Sequence, residues 1–430
     1  MRLAVCASAL GLLFSASAYA QMPPPAAPPP PAPPPAMEAV PPPPPPPPPP
    51  VVDVAPPAAA APVVVAAPVA GPVAGAPAAA AVPMPKFTFG GLVDTYWLYN
   101  FSKPDGANST FGPSYRAFDT NGNSATLALA KLSMNASLDP VSLQLDIGYG
   151  SIGSIINSAG AASASASTPG APVSGQFLVE QAYGEIALPG NLTLDFGKFV
   201  TTAGAEVIEA NKNWLYSRSM LFNAIPLLHT GVRANLKVND NLTLQASLVN
   251  GWNNDPDNNS WKTGGVSATI TVNPMVSVIA TTYFGKEATQ GPTGATPGDL
   301  RFLGDLVVAL NLNDRLGINL NVDYIKAPPA GMIVFTGDAS GDYLLGASAM
   351  ARYIVADHLF LAARGEYVAA HGDAVSHTVN YEEGTIMAGI PVGKNFELRP
   401  ELRGDFAGDA IFPGAKKKQF TGELAALTFF

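Results

Sequence analysis

The body of this chain predicts an all-β fold, a transmembrane antiparallel β-barrel of about 16 strands. A signal peptide and a disordered or polyproline-II segment rich in Pro and Ala precede it. Three observations carry this expectation. Proline is confined, with 28 of the 44 prolines between Pro23 and Pro85 and 16 over the rest of the 430 residues. From Lys86 onward apolar and polar residues alternate with period two, run after run. Between the runs, tight turns and long connections alternate strictly.

Residues 1–20 read as the signal peptide. Arg2 supplies the positive end, residues 3–14 a short apolar stretch, and Ala18-Tyr19-Ala20 a small-x-small cleavage site. A lipoprotein reading of Cys6 fails, because the cysteine sits inside the apolar stretch, close to Met1. Cys6 is the one cysteine, so the sequence excludes a disulfide framework and a cysteine zinc site. Residues 21–85 hold too few large side chains to build a core, and read as a Pro/Ala-rich periplasmic spacer. Ten consecutive prolines, residues 41–50, favour a stiff polyproline II helix. Pro62, Pro68, Pro72 and Pro77 interrupt the apolar run before Pro85, where a helix interior would lose about 3 kcal/mol per proline.

Residues 86–430 form the barrel. Phe87, Phe89, Val93, Trp97 and Tyr99 alternate with Thr88, Leu92, Asp94, Tyr96 and Asn100. Further on, Leu143, Leu145 and Ile147 alternate with Ser142, Gln144 and Asp146; Ile318, Leu320 and Val322 alternate with Asn319, Asn321 and Asp323. Near the end, Leu398, Pro400, Leu402 and Phe406 alternate with Glu397, Arg399, Glu401, Arg403 and Asp405. Tight turns fall at Asp139-Pro140, Pro189-Gly190-Asn191, Asn239-Asp240-Asn241, Asn273-Pro274, Asn313-Asp314, Val355-Ala356-Asp357 and residues 391–394. Long connections lie at 102–123, 151–176, 199–227, 253–262, 287–299, 327–341, 369–380 and 407–417. Eight long against seven short connections give sixteen strands, and an even number puts both barrel ends on the short-turn, periplasmic side. The 345 barrel residues allow about 22 per strand with its connection. Aromatics near strand ends (Trp97, Tyr99, Tyr149, Trp252, Phe284, Tyr324, Tyr353, Tyr367, Phe406) read as interfacial girdles. The pattern changes phase near Ala130-Lys131, which implies a bulge, and Pro400 inside a strand implies another.

Several short pieces, in order, carry a family resemblance. They include Gly91-Leu92-Val93-Asp94-Thr95-Tyr96-Trp97, Arg116-Ala117-Phe118-Asp119, Gln181-Ala182-Tyr183, Gly197-Lys198-Phe199 and Gly204-Ala205-Glu206. Tyr216-Ser217-Arg218-Ser219, His229-Thr230-Gly231, Asn250-Gly251-Trp252, Arg364-Gly365-Glu366-Tyr367 and Pro400-Glu401-Leu402-Arg403 follow. Over residues 86–430 the chain resembles the OmpL-like β-barrel porin-2 family. The terminal Phe430, closing an alternating strand, looks like the recognition signal of outer-membrane barrels. The resemblance implies a porin in the outer membrane of a Gram-negative bacterium, and it carries over no catalytic residue.

Eight strands leave an interior filled by side chains, whereas sixteen to eighteen leave an aqueous channel. The expected function is therefore passive diffusion of small hydrophilic solutes or ions. Residues 200–227 are the candidate for a loop folded into the lumen, because a water-exposed loop seldom carries Val207, Ile208, Trp214, Leu215, Met220, Leu221 and Phe222 together. Glu206, Glu209, Lys212 and Arg218 are its candidate constriction residues; packing at the mouth or on a neighbouring subunit is the alternative. Strand parity turns Arg233, Arg352, Arg364, Glu366, Glu397, Arg399, Glu401, Arg403 and Asp405 toward the lumen wall. Those charges either stiffen the wall as salt bridges or set a transverse field.

Outer-membrane lipid and small solutes or ions are the expected partners. A homotrimer and cell-wall contact through the Pro-rich segment are further expectations, with no nucleic acid, metal or cofactor. An enzyme is not expected: His229, His358, His371 and His377 accompany no familiar serine motif. The competing readings are a structural barrel tethered toward the cell wall and, behind it, a barrel hydrolase.

Overall fold

The computed structural model describes residues 84–102, 116–163, 175–287, 289–291, 294–296, 300–327, 342–372, 377–412 and 415–430. The signal peptide expected over 1–20 and nearly all of the spacer expected over 21–85 lie outside the described residues.

Period-two alternation does build strands here. In chain order they are β1 (Lys86–Asn100), β2 (Ser124–Leu138), β3 (Val141–Tyr149), β4 (Phe177–Leu188), β5 (Leu192–Val200) and β6 (Leu228–Asn239). Next come β7 (Leu242–Val249), β8 (Thr263–Asn273), β9 (Val276–Lys286) and a small hairpin of β10 (Thr289–Gly291) and β11 (Gly294–Thr296). The series ends with β12 (Leu300–Asn311), β13 (Leu316–Lys326), β14 (Tyr343–Ala356), β15 (Leu359–His371), β16 (Thr378–Val392), β17 (Phe396–Ala407) and β18 (Lys418–Phe429). All except the hairpin form one closed antiparallel barrel of sixteen strands. Closure is by β1 on β18, from Leu92↔Phe429 to Asn100↔Thr421, with Gly91 and Phe430 exchanging backbone hydrogen bonds beyond it. A closed ladder leaves no backbone group unpaired in hydrocarbon, which is what a lipid environment demands.

Both barrel ends lie at the short-turn rim. Lys86 pairs with Ser137 beside the turn at 139–140, and the Phe429 N–H donates to the Asn395 carbonyl in the last short turn.

The two faces separate by parity. Outward stand Leu132, Leu143, Leu248, Val266, Val322, Leu361, Ile386, Leu402 and Leu424, all exposed. In water so wide an apolar surface would aggregate; in a bilayer it is the solvated face. Exposed aromatics, including Tyr149, Phe177, Phe284, Tyr324, Tyr367 and Phe406, ring the long-loop side, with Phe406 edge-on to Phe420 at 5.5 Å. Trp252 does not belong to this girdle. It is buried in a long connection with the Arg301 guanidinium over its ring.

Two expected irregularities resolve differently. The phase change in β2 comes from one extra residue, Ala128, because Asp94 pairs with Leu129 and Thr95 with Leu127. Pro400 marks no bulge. It faces outward and pairs with Leu424 in an unbroken β17–β18 register. On the other side Met387↔Glu401 and Ile390↔Leu398 keep one register, and the ladder is merely interrupted between them. A residue without an N–H does this to a ladder without bending the strand. Pro391, expected in a turn, lies within β16 instead.

Among the described residues, three short helices sit in the long connections. α1 (Ser151–Ser163) follows β3, and its Ile152 and Ile156 are buried in the core cluster with Leu178. A 3-10 turn (Ala210–Lys212) and α2 (Met220–Ala224) belong to the connection between β5 and β6.

Candidate functional site

The 201–227 connection leaves the sheet after β5 and lies inside the barrel. Ile208, Ala210, Leu215, Tyr216, Met220, Leu221, Phe222 and Ile225 are all buried. Of the apolar residues that argued against an exposed loop, all but exposed Val207 and half-buried Trp214 are buried here, with inward side chains such as Leu344, Met350 and Val368.

Polar groups fix the loop's path. The Ala205 N–H donates to Asn321 Oδ1 on β13 at 3.3 Å. Glu401 on β17 accepts from the Tyr216 N–H at 2.8 Å and the Ser217 N–H at 3.2 Å, while the Tyr216 hydroxyl donates to Asp94 on β1 at 2.8 Å. Arg399 Nη1 donates to the Ala210 and Asn213 carbonyls at 2.8 and 3.0 Å. Arg403 Nη1 reaches the Arg218 carbonyl at 2.7 Å, and Arg364 Nη1 the Ser217 carbonyl at 2.7 Å. At the start of α2, Ser219 Oγ accepts from the Phe222 N–H, and Glu366 on β15 accepts from the Met220 and Leu221 N–H groups at 2.7 and 2.8 Å. Helix N-terminal N–H groups have no partner within their own helix, and a carboxylate there is favoured by the local dipole.

Of the four residues expected at a constriction, three are buried. Glu206 pairs with Arg364 at 3.0 Å. Glu209 pairs with Lys131 on β2 at 2.7 Å, and Lys131 also holds Glu180 at 2.6 Å and Asp146 at 3.2 Å. Burial pushes the Glu209 carboxyl up, but the ammonium groups of Lys131 and then Lys212 outweigh it and hold it at about 2. Arg218 turns back into its own loop, donating to the Val207 carbonyl at 3.0 Å and the Ile208 carbonyl at 2.6 Å. Lys212 differs from the other three: its side chain is 61% exposed while bonded to Glu209.

The residues expected on the wall all share the inward parity, but they divide by use. Arg364, Glu366, Arg399, Glu401 and Arg403 bond the loop directly, while Asp405 and Glu397 are tied to Arg403 and Arg399 at 2.7 and 2.5 Å. Arg233 pairs with Asp195 at 2.7 Å and reaches the Val200 carbonyl, where the loop begins, at 3.4 Å, with its guanidinium 4.3 Å from the Phe199 ring centroid. Arg352 stands apart beside Trp214 and Phe360.

A second inserted segment escaped sequence reading. Residues 116–120, at the end of the first long connection, are also buried. Arg116 bonds Asp119, Asp405 at 3.4 Å and Thr421 at 2.6 Å. Phe118 packs edge-on against Phe222 at 5.5 Å and takes the Arg218 guanidinium at 5.6 Å, so one loop braces the other. Arg116-Ala117-Phe118-Asp119 was visible as a motif, but nothing local says that an arginine in a polar loop turns inward.

Comparison with known proteins agrees with this architecture. The profile of the OmpL-like beta-barrel porin-2 family matches residues 86–430. No curated protein matches by sequence. Among solved structures, the outer membrane channel DcaP of Acinetobacter baumannii superposes with a TM-score of 0.54 at 13% identity, over 81% of this chain and 98% of that one. OmpF of Salmonella typhi, in complex with daunomycin, gives 0.54 at 12% identity over 80% and 98%. OmpT of Vibrio cholerae, an outer-membrane protein, gives 0.51 at 11% over 81% and 99%. At those identities the likeness is one of fold, and the family match carries the rest: the chain belongs to the OmpL-like beta-barrel porin-2 family and is an outer-membrane porin, a channel for small solutes.

Proposed function

We propose that the 201–227 loop sets the width of this channel, and that most of the charged wall beneath it holds the loop in place. The observation that carries the reading is the reach of the loop's anchors, from β13 and β15 to β17, β1 and β2. A segment fixed at so many points around one lumen narrows it permanently rather than opening and closing like a lid. The transverse-field alternative loses force, because Arg364, Arg399, Arg403, Glu366 and Glu401 spend their bonding capacity on the loop. Selectivity then falls to groups still facing water, Lys212 and Arg352 first. Removal of residues 205–222 tests this. Single-channel conductance should rise, and an unchanged value would place the constriction elsewhere.

The molecule works without catalysis in this reading. His229 is buried, donating from Nδ1 to the Gly251 carbonyl and stacked on Tyr283 at 4.5 Å, while His371 stacks on Tyr343 at 5.4 Å. With both barrel ends at the short-turn rim, the Pro/Ala segment extends into the periplasm as a spacer toward the cell wall. Three barrels assemble side by side in the outer membrane, as in many sixteen-stranded porins.

A further inference from the structure

The charged wall has one member without an assignment. Arg352 shares the inward parity of Met350 and Ser348 on β14, yet among the described residues its guanidinium makes no ion pair and no hydrogen bond. Its neighbour Arg399 takes the nearest carboxylate, Glu397, at 2.5 Å. Among the described residues, then, no carboxylate or carbonyl pairs directly with the Arg352 guanidinium.

It is nevertheless held in place. Its guanidinium lies 5.2 Å from the Trp214 ring and 5.9 Å from the Phe360 ring. Trp214 comes from the inserted loop and Phe360 from β15, so loop and wall each supply one aromatic face. Both rings depend on a missing side chain. A Cβ at Gly317 would stand 2.9 Å from Trp214, and one at Gly389 would run into the Phe360 ring. Cation–π attraction to the two rings holds the guanidinium in place while leaving its N–H donors open. Beside it, at the short-turn rim, lies a cavity of about 390 Å³ lined in part by Arg352, Gly317, Asn311, Asp314 and Arg315. The two arginines outweigh the one aspartate there.

We propose that Arg352, held beside Trp214 and Phe360, is an anion-binding subsite of the channel that takes the carboxylate of a small organic anion on the loop's short-turn side. A planar fork of N–H donors matches a carboxylate in two parallel bonds, which a point-charge ammonium does not. Holding the guanidinium in place beforehand lowers the ordering cost on binding. The flat apolar part of such a solute finds the Trp214 ring and the rim cavity next to the guanidinium. The proposal rests on the channel reading for its place in transport, but not for the binding itself.

Benzoate is the probe and benzamide its uncharged control, applied to the full refolded chain in detergent micelles. Saturation-transfer NMR should show benzoate bound and benzamide not. Arg352→Gln should weaken benzoate about tenfold or more, the loss of a charge-assisted bond. Arg352→Lys, which keeps the charge without the fork, should fall between the two, and it answers the question if the glutamine variant fails to fold. In planar bilayers, benzoate on the short-turn side should reduce wild-type current and leave the Arg352→Gln current unchanged. Equal binding of benzoate and benzamide, or benzoate bound by Arg352→Gln as by wild type, overturns the proposal. Benzoate binding to a protein that passes no current would uphold the subsite and count against the channel reading alone.

Discussion

Arg399 shows how single residues work in this barrel. Parity alone turns it inward, along with Glu397, Glu401, Arg403 and Asp405, and that much was legible. What it holds was not: its partners Ala210 and Asn213 lie 189 and 186 residues away in sequence. Alternation reports a face; a contact across the lumen depends on where a loop falls, which no local pattern encodes. The consequence can be measured. Arg399→Met removes the donor for two buried carbonyls and leaves Glu397 without its partner. A buried charge stranded in this way costs about 3–5 kcal/mol. Urea unfolding of the refolded barrel in vesicles should show a loss of that order, while Arg233→Met, at a pair outside the loop, should leave channel width unchanged.

At the scale of elements, strands and turns were the legible part. Closed antiparallel pairing needs outward apolar and inward polar residues in alternation, and short turns need Pro, Gly, Asn or Asp, so both leave local marks. α1 was missed. Its Gly, Ser and Ala content reads as loop, and only Ile152, Ile155 and Ile156, at helical spacing, signal a packed face. Pro400 inside a strand suggests a bulge, yet the β17–β18 register runs through it unbroken. With the register intact, the missing N–H is its main defect, so Pro400→Val should restore a ladder bond worth about 1 kcal/mol. A rise in unfolding midpoint with unchanged conductance would agree; a fall would mean that the ring fills a space on the outer face that valine cannot.

The whole molecule joins two chemistries. Residues 86–430 form the porin, and the proline-dense segment before it has no core of its own to build. Deleting residues 22–85 should therefore leave barrel assembly, and the number of barrels per particle by native mass spectrometry, as in the intact chain; lost folding would make the segment part of assembly. With the loop held inside it, the sixteen-stranded wall should remain an open but narrowed path. Planar-bilayer recording of the refolded chain tests it most directly. Discrete, stepwise increases in conductance at low protein concentration are the expected result. A bilayer that stays silent and tight with folded protein inserted would contradict it.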